Sequence, residues 1–150
     1  MPLLTRLQFL CVIFLGLFSG AMLFIATCLA PYWAALAPDL FRENFRVLGL
    51  FVGDKMVPLM GASIVLSALC SIFCKDDRGR WIVVFGLVIL IVPTYLVVHA
   101  PINELFFGPD PISAADLLEL RRRWITWHWA RTFAGLSAFG IAVINFRNVK

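Results

Sequence analysis

Residues Arg121–Phe146, "RRRWITWHWARTFAGLSAFGIAVINF", decide how this chain folds. The second half, from Ala134, is an apolar run long enough to enter a membrane, and the first half carries His128 and Arg131 toward it among three tryptophans. On a helical wheel Trp124, Trp127, His128, Arg131 and Gly135 fall at offsets 0, 3, 4, 7 and 11, one face of an α-helix. Trp129 points elsewhere, as a lipid-interface anchor does. Trp124 and Arg131 are separated by about 10 Å of helical rise, which takes Arg131 below the headgroups. An arginine at that depth costs at least ~2.5 kcal/mol unless it faces protein or water and finds partners. The bland alternative has Arg131 snorkelling back to a phosphate and His128 satisfied at the interface.

The rest of the chain has the same character. Of 150 residues, 61% are hydrophobic and 15% charged, more apolar surface than a soluble domain hides. Four apolar runs are expected to cross the bilayer, at about 7–32, 56–74, 81–98 and 124–146, each near the ~20 residues a span needs. The first is too long for a signal peptide, although Arg6 precedes it and "ALA" at 35–37 resembles a cleavage site. The expected fold is therefore all-α: a polytopic membrane protein, one domain over 1–150, built as a four-transmembrane-helix bundle. Residues 33–55 contain an amphipathic stretch, "LFRENFRVLGLF", expected to lie in the interface. Ser113–Asp116, "SAAD", reads as a capping box that starts the last helix near Ala114, ahead of the membrane. No internal repeat is evident.

The net charge of +4 is spread beside apolar segments, which signals topology and headgroup contact and not nucleic-acid binding. Arg6, Lys75, Arg78, Arg80, Arg147 and Lys150 lie on the side of the termini; Arg42, Arg46, Lys55 and Arg121–Arg123 lie on the other. The counts tie, but the first set is packed into shorter segments. That favours both termini in the cytoplasm and a plasma (inner) membrane location. Cys11, Cys28, Cys70 and Cys74 read as small hydrophobes, and Cys70 and Cys74, one turn apart, make a poor redox pair. Pro93 is expected to kink the third span, Pro31 and Pro58 to mark helix ends, and Gly16, Gly20, Gly86, Gly135 and Gly140 to allow close helix packing.

Depth brings the polar residues together. His99, Asn103 and Glu104 follow the third span in "VVHAPINELFF", on the side where the fourth span begins. His99, Asn103, His128, Arg131 and Asp54 thus gather with the tryptophans at one end of the bundle, the composition of a small-molecule pocket. Two histidines and no intramembrane carboxylate cluster argue against a metal centre.

At these residues the chain resembles the anthrone oxygenase-like family, small four-helix membrane proteins grouped as a domain of unknown function that includes the fungal anthrone oxygenases. The likeness rests on "PINEL" (Pro101, Asn103, Leu105) and "WITWHWART" (Trp124, Trp127, His128, Arg131, Thr132), with "GLFSGAMLF", "APYW" and "PLM" similar in style. The resemblance implies a monooxygenase that converts an activated methylene of an aromatic polyketide to a carbonyl with O₂, using no metal or flavin. For such chemistry His128 is assigned as general base, and Asn103 and Arg131 as donors to the oxyanion or peroxide. Trp124 and Trp127 would hold the planar substrate, with His99 beside them. The expected partners are the bilayer and a hydrophobic aromatic small molecule, self-association being left open. Two rivals stand: a bis-histidine haem or quinone site at His99 and His128, and a non-enzymatic small membrane subunit whose Trp/His/Arg face contacts a larger complex.

Overall fold

A computed structural model describes residues 2–147. Four long helices, α1 (Leu3–Ala35), α2 (Pro38–Phe73), α3 (Arg78–Phe107) and α4 (Ala114–Arg147), run up and down in chain order. Among the described residues there is no strand. α1, α2 and α3 are long and apolar enough to cross a membrane, which marks an integral membrane protein. α4 matches them in length but is diluted by His128, Arg131 and Asn145. Each helix packs against its two neighbours around the square, α1 against α2 and α4, and α3 against α2 and α4. The start of α1, the close of α4 and the 74–77 turn lie at one end, the terminal end. The 36–37 turn and the 108–113 connection lie at the other, the loop end. Lys150, used in the orientation argument, lies outside the described residues.

The amphipathic stretch "LFRENFRVLGLF", residues 40–51, forms the first turns of α2, which starts at Pro38 and which Pro58 does not end: the helix runs on to Phe73. One side of it is packed, with Phe41 and Phe45 buried against Trp33, Phe106 and Trp124, while Leu40, Val47, Leu50 and Phe51 on the other side are exposed. Nor do the other prolines end helices. α1 and α3 each widen into a π turn, Ile25–Leu29 and Tyr95–His99, and each turn is followed by Ala-Pro: Ala30-Pro31 and Ala100-Pro101. Proline has no N–H, and its ring crowds the carbonyl four residues back; a wide turn absorbs both defects without ending the helix. Ahead of Pro93 the regular α-helical pattern of α3 is broken at Leu90, whose backbone stays in the helical region. Of the glycines, Gly16 and Gly135 carry the approach of α1 to α4: an added Cβ would lie 3.0 Å from Phe139 and 3.2 Å from Ser19 Oγ. At Gly20, Gly86 and Gly140 it would meet nothing within 4 Å.

The two hairpins, α1–α2 and α3–α4, are built alike. Trp33 Nε1 on α1 donates to Asn44 Oδ1 on α2 at 2.8 Å; Trp124 Nε1 on α4 donates to Asn103 Oδ1 on α3 at 2.9 Å. Arg121 of α4 donates to Trp33 and Leu36 carbonyls at the end of α1, at 2.7 and 2.8 Å. Arg42 and Arg46 of α2 donate in the same way to the Phe106 and Gly108 carbonyls at the end of α3. Cations on orphan C-terminal carbonyls satisfy the backbone and the helix dipole together. The paired change Arg42→Ala and Arg46→Ala leaves these carbonyls bare. We expect a loss of about 1–3 kcal/mol, read as a lower melting temperature of the detergent-purified protein, and an unchanged melt would remove the capping role.

Candidate functional site

α4 presents one buried stripe to the bundle axis: Leu117, Trp124, His128, Thr132, Ala138, Ala142 and Asn145. Thr132 Oγ1 bonds back to the His128 carbonyl at 2.8 Å, as mid-helix threonines do. His128 Nε2 lies 3.0 Å from the Met22 carbonyl of α1, and Arg131 Nη2 lies 2.9 Å from His128 Nδ1. A guanidinium only donates, so Nδ1 accepts from Arg131 and Nε2 carries the hydrogen given to Met22. These contacts assign the tautomer, and they tie Arg131 through the imidazole to the α1 backbone just before its π turn. Trp124 stacks on His128 with centroids 5.0 Å apart and planes at 10°, and Trp33 meets Trp124 edge-on at 5.6 Å.

The pair opens on a cavity of about 120 Å³ whose walls are mostly apolar. Phe18, Met22, Phe45, Met56, Met60 and Phe107 form much of the wall; Asn103, Tyr95, His128 and Arg131 supply its polar atoms. Arg131 is the one charged residue in that lining, and its Nε has no hydrogen-bond partner among the described residues. A cation with no carboxylate beside it, facing an apolar cavity, favours a ligand that carries, or develops, negative charge.

Of the residues singled out in the sequence, Asn103, Trp124, His128 and Arg131 line this cavity. His99 is fully buried but stands behind Trp124, 5.3 Å from it, with its ring 6.4 Å from His128. Its Nδ1–H donates to the Thr94 carbonyl at 3.2 Å, and its Nε2 has no partner among the described residues. Trp127, expected to hold substrate, is 41% exposed and lies outside the cavity. The inward stripe centres on Trp124, His128 and Thr132, which turns position 127, a hundred degrees from 128, outward. Asp54 is exposed and is not part of the site. Tyr95, Trp33, the Met22 carbonyl and the α2 glycines Gly49 and Gly53 are wall elements the sequence reading missed. The recurring Ala-Pro after Leu29 and after His99 was the available signal, since it marks the two helices with widened turns.

For the haem rival, both nitrogens of His128 are engaged, so ligation requires breaking its bond to Met22 or to Arg131. Among the described residues no group of three or more His, Cys, Asp or Glu is placed to hold a metal ion.

The fold and the site define a helical membrane protein with an aromatic-walled pocket built on a buried histidine–arginine pair. The family profile named anthrone oxygenase matches residues 47–141, more than half of the chain, and the protein belongs to that family. The matched stretch contains Asn103, Trp124, His128 and Arg131 and leaves out α1, which contributes Trp33 and the Met22 carbonyl. No curated protein and no solved structure matches the chain.

Proposed function

We propose that the chain is a multi-pass, four-span membrane oxygenase that converts the methylene of a phenolic, anthrone-like aromatic to a carbonyl with O₂, without metal, haem or flavin. The observation that carries this reading is the Met22–His128–Arg131 relay facing an apolar, aromatic-walled cavity. Family membership supports it.

The chemistry balances without an external reductant. The methylene carbon loses one proton to a base, and the ring system delocalises the resulting carbanion. That carbanion passes an electron to O₂, and the radical pair combines to a C–O–O⁻ peroxide, which takes up a proton. Removal of the remaining C–H proton then expels hydroxide as the O–O bond breaks, leaving C=O and water. One oxygen atom goes to product and one to water, and all four electrons come from the substrate and the two C–H bonds it loses. Arg131 binds the ring oxygen where carbanion charge accumulates. As its guanidinium turns from His128 Nδ1 to that oxygen, the imidazole lone pair becomes free to accept the methylene proton. Asn103 is fixed by Trp124 through Oδ1, which leaves Nδ2 as a donor to the peroxide. Trp124, Phe45 and Phe107 offer aromatic surface for the flat rings to pack on, and the apolar lining disfavours water that would quench the carbanion before it meets O₂.

The test uses the purified protein in detergent with 1,8-dihydroxyanthrone. Quinone formation should consume one O₂ per anthrone, place one atom of ¹⁸O from ¹⁸O₂ in the new carbonyl, and survive exhaustive chelation. A visible haem or flavin spectrum that tracks activity would overturn the cofactor-free reading, and no oxidation above the autoxidation rate would overturn the reaction.

A further inference from the structure

We propose that the cavity is loaded sideways, from the lipid, through a mouth between α2 and α3 whose width is set by Gly53. The inference rests on the cavity assigned above and concerns how a lipid-dissolved flat aromatic reaches it.

The other walls are made mostly of buried side chains. Toward the loop end the cavity is roofed by Trp33, Phe45 and Trp124, packed ring on ring with Phe41 and Phe106. Above them Arg121, Arg42 and Arg46 bolt the ends of α1 and α3 to α4 and α2. Toward the terminal end Phe18, Met22 and Ile91 form a buried floor, and below it lies the close core of Leu15, Trp81, Val84 and Val88. On the α1 side all lining residues are buried; on the α4 side Trp124 and His128 are buried and Arg131 alone is partly exposed, a charged group unsuited to admit an apolar ring from lipid.

The lining residues of α2 and α3 differ. Val57 is 59% exposed, and Gly49, Val52, Gly53, Met56, Met60, Tyr95, Asn103 and Phe107 are each partly exposed. Of the α2 glycines, Gly49 is packed, since a Cβ there would lie 3.2 Å from both Phe45 and Phe107. At Gly53 a Cβ meets nothing within 4 Å, so the missing side chain is open space on the wall of the cavity. The flanking surface is oily: Leu50, Phe51, Val57, Leu96 and Val97 are all more than half exposed. Val57 and Tyr95 lie well inside α2 and α3, both of which are apolar enough to span a bilayer. A mouth so placed faces acyl chains, where a flat apolar aromatic concentrates by partition.

The test is a matched pair of substitutions read by binding, so it does not depend on turnover. Gly53→Phe fills the mouth. Gly20→Phe adds the same ring to an exposed α1 position that also has nothing within 4 Å. Each protein is reconstituted in phosphatidylcholine vesicles and mixed with 1,8-dihydroxyanthraquinone, a non-reacting probe, and quenching of tryptophan emission is followed in time. Gly53→Phe should slow loading by about tenfold or more, a change in rate with unchanged melting, while Gly20→Phe stays near the parent. Equal rates in Gly53→Phe and parent, equal slowing in both variants, or no binding by the parent would each overturn the lateral mouth. If the parent binds the probe and Gly53→Phe blocks it, yet 1,8-dihydroxyanthrone is not oxidised, the mouth stands and the oxygenase reading fails.

Discussion

His128→Ala should reduce anthrone oxidation by about 10²–10⁴-fold, the range that a positioned general base supplies. His128 is the imidazole on the cavity wall, and His99 cannot replace it from behind Trp124. Alanine also strips the Met22 carbonyl and Arg131 Nη2 of their shared partner, so some loss of stability accompanies the loss of rate. His128→Gln separates the two effects. Its amide can still donate to one neighbour and accept from the other, but it takes up no proton near neutral pH. We therefore expect glutamine to recover much of the melting temperature and little of the rate. Full activity in His128→Gln would remove the base assignment and leave His128 as a positioning residue for Arg131, and full activity in His128→Ala would remove both roles.

Arg131→Met should move activity and stability in opposite directions. Losing the donor that meets the developing oxyanion is expected to lower kcat by about 10²–10³-fold, roughly 2.7–4 kcal/mol of transition-state stabilisation. The guanidinium is nonetheless a burden on the fold. It sits inside the helical bundle, no carboxylate lines its cavity, and its Nε is unpartnered among the described residues. Replacing such a charge with an apolar side chain of similar length is commonly neutral or stabilising. The melting temperature should hold or rise while turnover collapses, the pattern of a residue kept for function at the expense of stability. Arg131→Lys keeps the charge but loses the planar fork that serves His128 and substrate together, so it should recover only part of kcat. A parallel fall of rate and melting temperature in Arg131→Met would instead assign Arg131 to holding α4 in place.

The site was legible in the sequence to the extent that it follows helical period and depth. His128 and Arg131 share a face with Trp124 because three and four residues make about one turn, and Asn103 was placed at the same depth by its position after the third span. Trp127 went astray for the same reason, because the period admits a face more than a hundred degrees wide and only packing against α1 and α3 decides which part turns inward. That residues 40–51 continue into the long helix α2 was not legible, because amphipathicity is the same whether the apolar side meets lipid or Trp33, Phe106 and Trp124.

What residue order alone determined is the class: an all-helical chain with runs too apolar for water, carrying ionisable groups into one of them at a cost that demands partners. The identity of those partners is a tertiary fact. The Met22 carbonyl is 106 residues from the imidazole it receives, Arg121 ties off a helix 85 to 88 residues away, and Gly53 widens a cavity whose other walls come from all four helices. Backbone carbonyls have no signature in a sequence, and empty space has none either. Both exist only once four helices have chosen which faces to hide from lipid and from one another.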